Sequence, residues 1–552
     1  MKVNYIFALT LLSTALCLGQ RARAAEAAPL APTPPMGWND WAHYECGFTA
    51  STILANARAL VRSGLAARGY DVVTIDDCWM LKSRDSHGDL QPDPRRFPDG
   101  MRPVAAAIHA LGLKFGIYED AGYATCGGFA GSGGAKGEAH FLADARLFAS
   151  WEVDYLKLDG CNVPTMQRQS KAAAYEAVYR AESIALERVG RPVVFSESAP
   201  AYFQGTPEWY DVLRWVRRYG QLWREGTDVA VYDPKQPGRS RFGSVMWNYD
   251  YNLQLARFQK PGNWNDADFI IGGDSGMTLA ETRSQIALWS MMSAPLILSS
   301  DLDRLSPAAV AILGNRAVLS VDQDPLGRMA TLVRRSASMD LLLKPLRGGD
   351  YAVAVLNRGP ATLRLAVTPQ DLGFSGQRCA LDVHELWTDT RHGAAAALRG
   401  RIQAHDTDIW KIRPAAGCGT PDRVGVITRI VPNVPESRQD SQDYTRCLAA
   451  PGMMRPCDGA ADETWRVMPD GTLRSAKGCL GQTGDHASTM QCRPGRNQRW
   501  SHTLVGNLVN RSSRLCLTGP TDGRLTVRAC GHNTASQIWS LPDDVTTGAA
   551  TH

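Results

Sequence analysis

The stretch Val153-Asp154-Tyr155-Leu156-Lys157-Leu158-Asp159-Gly160-Cys161 decides the fold. A mainly apolar run stops at a carboxylate and a glycine, as a buried strand does when it reaches a polar edge. The same shape recurs outward in both directions. Val72-Val73-Thr74-Ile75 runs into Asp76-Asp77, and the run from Leu113 to Ile117 into Tyr118-Glu119-Asp120. Val193-Val194-Phe195 runs into Ser196-Glu197-Ser198, and Leu296-Ile297-Leu298 into Ser299-Ser300-Asp301. Helix-like stretches lie between them, at residues 51–68, 171–189 and 278–292. Alternation of this kind from Pro35 to about Gln323 predicts an α/β chain whose first domain is a (β/α)8 barrel. That fold places its active site at the C-terminal ends of the strands. Here those ends are rich in carboxylates.

Beyond the barrel, assigned to residues 25–324, the texture changes. Leu341-Leu342-Leu343, Tyr351-Ala352-Val353-Ala354-Val355-Leu356 and Leu363-Arg364-Leu365-Ala366-Val367 are short strands without helices between them. They predict an antiparallel β-sandwich domain over residues 325–414. Residues 415–438 hold Gly, Pro and Asp and read as a linker. Residues 439–541 repeat internally. Cys447-Leu448, Cys479-Leu480 and Cys516-Leu517 open three units, Cys457, Cys492 and Cys530 follow, and Trp465, Trp500 and Trp539 close them. Three such units share one core, and they resemble a ricin-type β-trefoil lectin module. Residues 542–552 are left as a tail.

Residues 1–24 read as a signal peptide. Lys2 precedes an apolar run, and Ala22-Arg23-Ala24 offers a cleavage site. The run is too short for a comfortable membrane span, and no later stretch is apolar enough. The chain has 13 cysteines, and losing Cys17 with the leader leaves an even number, as in an exported disulfide-bonded protein. An exported protein, periplasmic or secreted, is expected. The net charge of +5 comes from scattered basic residues. The densest group, Arg214 to Arg218, reads as a solvated helix face, so no nucleic-acid partner is expected. The glycine-rich loop 127–137 lacks the Lys-Ser/Thr ending of a phosphate-binding loop. No cofactor and no metal are expected. The sequence says nothing of oligomeric state.

Cleavage of a sugar bond needs two carboxyl groups beside the anomeric carbon. Asp159 closes a strand, and Lys157, two residues earlier, shares its face. A cation there favours the ionised carboxylate. The same spacing also suits a structural ion pair.

Five ordered motifs narrow the choice. They are Met36-Gly37-Trp38-Asn39-Asp40-Trp41, Ile75-Asp76-Asp77-Cys78-Trp79, Lys157-Leu158-Asp159-Gly160-Cys161, Trp223-Arg224-x3-Asp228 and Gly262-Asn263-Trp264-Asn265-Asp266-Ala267-Asp268. Together they resemble glycoside hydrolase family 27, the α-galactosidase and α-N-acetylgalactosaminidase family, over roughly residues 33–415. The resemblance implies a retaining exo-glycosidase acting on terminal α-galactosyl groups of oligosaccharides, polysaccharides or glycoconjugates. It makes Asp159 the nucleophile and Asp228 the acid/base, with Lys157 orienting the nucleophile and contacting sugar hydroxyls. Asp76 and Asp77 hold sugar hydroxyls, Trp41 is an apolar platform, and Tyr118, Tyr202, Arg224 and Asp268 line the pocket. Trp41 and Tyr118 also suit a core, Asp76-Asp77 a helix cap, and Arg224 a structural partner of Asp228. Pairs Cys46 with Cys78 and Cys126 with Cys161 follow from the same resemblance. Cys379 then pairs with Cys418 by elimination. The trefoil implies Cys447 with Cys457, Cys479 with Cys492, and Cys516 with Cys530.

Two departures bear on function. Positions 198 and 201 are Ser198 and Ala201, the small pair that N-acetylgalactosaminidases carry, whereas animal-type galactosidases carry Glu and Leu. Glu197 lies one residue earlier, and a shift of register returns its carboxylate to the pocket. The α-galactosidase reading leads, and α-N-acetylgalactosaminidase is the alternative. In the trefoil, the Asp usual after Cys-Leu is replaced by Ala449, Gly481 and Thr518. A carbohydrate ligand of the trefoil stays open. A non-catalytic carbohydrate-binding protein is the competing class, and retention of both Asp159 and Asp228 speaks against it.

Overall fold

Eight short parallel strands close on one another at the front of the molecule. They are β1 Met36–Asn39, β2 Val72–Ile75, β3 Lys114–Asp120, β4 Tyr155–Asp159, β5 Val194–Glu197, β6 Leu222–Arg224, β7 Trp264–Asp266 and β8 Leu296–Leu298. Their order is β7-β6-β5-β4-β3-β2-β1-β8, and a parallel bridge from Ile270 to Leu298 joins the two ends. The computed structural model describes residues 29–134, 139–166, 168–376, 378–430, 445–532 and 534–544. The expected signal peptide and residues 545–552 lie outside the described residues.

The helices that follow the strands include α1 Trp41–Tyr44, α2 Ala50–Arg62, α3 Met101–Ala110, α4 Phe141–Ser150, α5 Lys171–Val189, α6 Trp209–Val216, α7 Phe242–Asn252 and α8 Leu279–Met292. Residues 171–189 form α5 as the periodicity predicts. The Ser170 hydroxyl accepts from Ala173 N at its start, and Gly190 takes a left-handed conformation at its end. Thr278 and Glu281 make a capping box for α8. The helix predicted over 51–68 is shorter. It ends at Arg62 because Gly64 turns left-handed (φ 78°), and only a 3-10 turn at Ala66–Arg68 follows.

Strand register sorts the side chains. Tyr118, Lys157 and Ser196 lie on one rung, and Leu158, Glu197 and Trp223 on the next. Alternation sends these rungs to opposite faces of the sheet. The first rung faces the barrel interior, where Lys157 reaches Asp76. The second faces the surrounding helices. At the other end of the barrel, Val72, Tyr155, Leu222 and Trp264 form an apolar plug against Ala31. Each fully buried side chain of this size contributes about 1.5–3 kcal/mol.

A β-sandwich follows. One sheet has the order β14-β13-β16-β11-β10-β9, and a two-stranded sheet pairs β12 with β15. These strands are β9 Thr331–Arg335, β10 Met339–Pro345, β11 Tyr351–Asn357, β12 Leu363–Val367, β13 Leu381–Glu385, β14 Thr390–Ala395, β15 Leu398–Ile402 and β16 Thr407–Pro414. The last part is β-rich and threefold. The indole N–H groups of Trp465, Trp500 and Trp539 donate to the carbonyls of Leu448, Leu480 and Leu517, at 2.7, 2.9 and 3.0 Å. One bond, repeated three times, ties each closing Trp to the start of its own unit.

The expected linker needs correction. Within residues 415–438, β17 Val424–Val426 pairs with the strand Thr464–Val467, and β18 Thr428–Ile430 pairs with Thr445–Ala449. Ile427 is buried in the trefoil core. Part of the supposed linker is therefore structural, and the trefoil starts before residue 439. Val426, Ile430, Cys447 and Ile538 belong to the same apolar cluster as the barrel. Arg257 donates to the carbonyls of Leu504 and Val505, at 2.8 and 3.0 Å, so the trefoil is packed onto the barrel.

Among the described residues six disulfides are present: Cys46–Cys78, Cys126–Cys161, Cys379–Cys418, Cys447–Cys457, Cys479–Cys492 and Cys516–Cys530. Among the described residues, no helix is long and apolar enough to cross a membrane.

Candidate active site

A cavity of about 490 Å³ opens at the C-terminal ends of β4 to β6. Its lining includes Lys157, Asp159, Ser198, Ala201, Tyr202, Arg224 and Asp228, together with the Cys126–Cys161 disulfide. Alternation explains why residues so far apart in sequence meet. Lys157 and Asp159 share a face of β4, Ser198 continues the inward parity of β5, and Arg224 ends β6.

Asp159 is held by neutral donors. Tyr202 donates to Oδ1 at 2.6 Å, Tyr118 to Oδ2 at 3.2 Å, and Gly160 N to Oδ1 at 2.9 Å. Lys157 hydrogen-bonds elsewhere than on Asp159. Its ammonium pairs with Asp76 Oδ2 at 2.7 Å, because Asp76 lies across the barrel on the same inner face. Asn39 donates to that oxygen as well, at 2.7 Å. Burial pulls the Lys157 ammonium down, but the negative charges of Asp76, Asp159 and Asp228 outweigh it and raise its pKa.

Asp76, Tyr118 and Asp268 stand one bond behind the lining, on Lys157, Asp159 and Arg224, while Asp77 and Trp41 bond to residues outside it. Asp76, Asp77, Tyr118 and Asp268 are each 1 % exposed. Asp77 accepts from Gly127 N and Cys78 N, at 2.8 and 2.6 Å, and burial pushes its carboxyl up. Trp41 begins α1, with its N–H on Asn39 Oδ1, and packs partly buried on the barrel core. Asp268 pairs with Arg224 at 2.7 Å, and burial pushes it up to about 7.

Asp228 differs from Asp159 in every respect. It sits on the loop after β6, its side chain is 62 % exposed, and Arg224 holds it at 2.9 Å. Partial desolvation at the cavity wall pushes its carboxyl up, but the charges of Arg224 and Lys157 outweigh that push and hold it below the ordinary value. Solvent screens the pull, because the group is so open.

Glu197 does not enter the cavity. It is fully buried on the outward rung, and a Cβ on Gly220 would lie 2.4 Å from its Oε1. Burial pushes its carboxyl well up. Ser198 and Ala201 line the cavity instead.

Sequence reasoning missed several partners. Asp120 accepts from Gly122 N and Cys161 N, at 2.6 and 2.9 Å, stapling the loops after β3 and β4. Burial, then the neighbouring Asp159, push it up to about 8. Gly226 and Thr227 line the cavity beside Asp228. The strand-end parity of Asp120 was a usable signal, whereas Gly226 and Thr227 carry none. Atoms of Asp120, Cys126, Asp159 and Cys161 lie within 4.8 Å of one another. The two sulfurs are bonded together and offer no thiolate to a metal.

Comparison with known proteins agrees with this architecture. A family model described as Alpha galactosidase A matches residues 33–324. A second, Alpha galactosidase C-terminal beta sandwich domain, matches 336–412, and a third, Ricin-type beta-trefoil lectin domain, matches 440–539. The chain is 38 % identical over 524 residues to a probable alpha-galactosidase A of Aspergillus clavatus, covering 94 % of this chain and 95 % of the relative. It is 35 % identical over 528 residues to alpha-galactosidase A of Aspergillus niger, covering 94 % and 93 %. Alpha-galactosidase I from Mortierella vinacea superposes with a TM-score of 0.62 at 29 % identity, over 71 % of this chain and 100 % of that structure.

Proposed function

The chain belongs to the alpha galactosidase A family, and from that premise we propose that it removes terminal α-galactosyl groups by double displacement. It is a glycoside hydrolase of the α-galactosidase type. The observation that carries the reading is the pair Asp159 and Asp228 on one cavity, in unlike surroundings. In the first step, Asp159 bonds to the anomeric carbon. The glycosidic bond breaks, its electron pair goes to the leaving oxygen, and the proton of Asp228 follows it. In the second step water attacks the anomeric carbon, Asp228 takes its proton, and Asp159 is released. Tyr202 and Tyr118 fix Asp159 for in-line attack, and Arg224 fixes Asp228. Lys157 contacts sugar hydroxyls from the cavity wall, with Asp76 holding its ammonium in place. The substrate is a galactoside-type carbohydrate. The protein works outside the cytoplasm, a location suited to six disulfides.

Azide separates the two roles. With Asp159→Ala, azide attacks the substrate itself and gives β-galactosyl azide. With Asp228→Ala, azide attacks the glycosyl-enzyme and gives α-galactosyl azide. No azide product from either variant would overturn the assignment.

A second reading has one observation behind it. Ser198 and Ala201 wall the cavity and Glu197 does not. We therefore propose cleavage of α-N-acetylgalactosaminides beside α-galactosides.

A further inference from the structure

The Asp228 side chain is largely open to solvent, so its aim depends on the loop that carries it. That loop is held by its backbone. Thr227 N donates to Gln204 Oε1 at 3.3 Å, Val229 N to Asp268 Oδ2 at 2.5 Å, and Ala230 N to Ser244 Oγ at 2.9 Å. The Thr227 carbonyl, which begins the peptide unit of Asp228, accepts from Asn248 Nδ2 at 3.0 Å. Asn248 is 1 % exposed, and its Oδ1 has no partner among the described residues. A buried amide with one orphaned oxygen costs free energy, so its retained bond carries the purpose of the residue.

The helix behind Asn248 is itself fixed. On α7, Tyr249 donates to Asp340 at 3.1 Å, and Asp250 pairs with Arg358 at 2.6 Å and with Arg335. These partners belong to the β-sandwich. The sandwich therefore sets the register of α7, and α7 sets Asn248 against the loop.

We propose that Asn248 is a positioning residue that aims Asp228 at the leaving oxygen, through the Thr227 carbonyl. The proposal rests on Asp228 being the acid/base. Proton donation matters in proportion to the basicity of the leaving group. A misaimed acid therefore harms poor leaving groups selectively, while a loosened fold harms all substrates alike.

The test measures kcat/KM for Asn248→Ala in the full chain on phenyl, nitrophenyl and dinitrophenyl α-galactosides. Asn248→Leu is the second variant. It keeps the volume and, because Oδ1 has no partner, deletes only the one bond. We expect a loss of about 10–100-fold on the phenyl substrate, a share of what a general acid supplies, and little loss on the dinitrophenyl substrate. Thermal melts identify which variants are folded. An equal loss on all three substrates, or none on any, overturns the proposal. Asp228→Ala on the same series is the reference. If it too loses activity equally on all substrates and yields no α-galactosyl azide, the acid/base reading beneath the proposal is what fails.

Discussion

Two carboxylates of one chemical type acquire different behaviour from their neighbours. Asp159 takes hydrogen bonds from two tyrosines and a backbone amide, while Asp228 faces solvent against a guanidinium. For the first step Asp228 must carry a proton. Arg224 favours its ionised form, so the proton is lost at lower pH than from a free carboxyl. The alkaline limb of kcat/KM on a phenyl α-galactoside therefore falls in the acid range. Arg224→Gln removes the pull, and that limb moves to higher pH. The same change leaves buried Asp268 without its cation, so stability falls by about 3–5 kcal/mol. A limb that stays in place or moves to lower pH contradicts this account of Asp228. The partner of Lys157 was not legible in the sequence. Two-residue spacing puts Lys157 and Asp159 on one face, but only the closed barrel brings Asp76 closer to the ammonium.

At the scale of the element, parity does most of the sorting. β4 was legible residue by residue, because its apolar run ends in a single carboxylate. β5 was not, because Ser196-Glu197-Ser198 offers polar side chains to both faces. The rung pairing settles it: Glu197 aligns with Leu158 and Trp223, which face the helices. On the proposed function, the residues left to act on the substituent at carbon 2 are Ser198 and Ala201, which line the cavity. Ser198→Glu with Ala201→Leu is expected to shift the kcat/KM ratio toward galactosides and away from N-acetylgalactosaminides, by about 1–3 kcal/mol of discrimination. Glu197→Gln is expected to leave that ratio unchanged and to alter only the melting temperature. A ratio that responds to Glu197→Gln and not to the double change refutes the register. The strands β17 and β18 escaped the sequence for a related reason. Each is three residues long, both lie between Pro421 and Pro432, and each pairs with a trefoil strand beside it.

The whole molecule is a barrel braced from two sides. The sandwich reaches α7 through Asp340, Arg335 and Arg358, and the trefoil reaches the next turn through Arg257. The trefoil repeat was legible from its Cys-Leu and Trp spacing, but its packing onto the barrel was not. At the places where an Asp is usual, the space is taken. A Cβ on Gly481 would lie 2.7 Å from Met490 Sδ, Thr518 accepts from Gln537 at 3.0 Å, and Ala449 is 1 % exposed. A chain ending just after Gly419 keeps Cys379–Cys418 and is expected to retain kcat/KM on nitrophenyl α-galactoside with a lower melting temperature. With Asp159→Asn added to silence turnover, full and shortened chains should be retained equally by immobilised galactose. Stronger retention of the full chain would show a working sugar site in the trefoil.

The central claim is double displacement by Asp159 and Asp228, which requires the two carboxyl groups to stand about 5–5.5 Å apart with no room for direct attack by water. Proton NMR of the sugar released in the first moments of hydrolysis of nitrophenyl α-galactoside, before mutarotation, tests it most directly. The account predicts the α anomer as first product; the β anomer would contradict it.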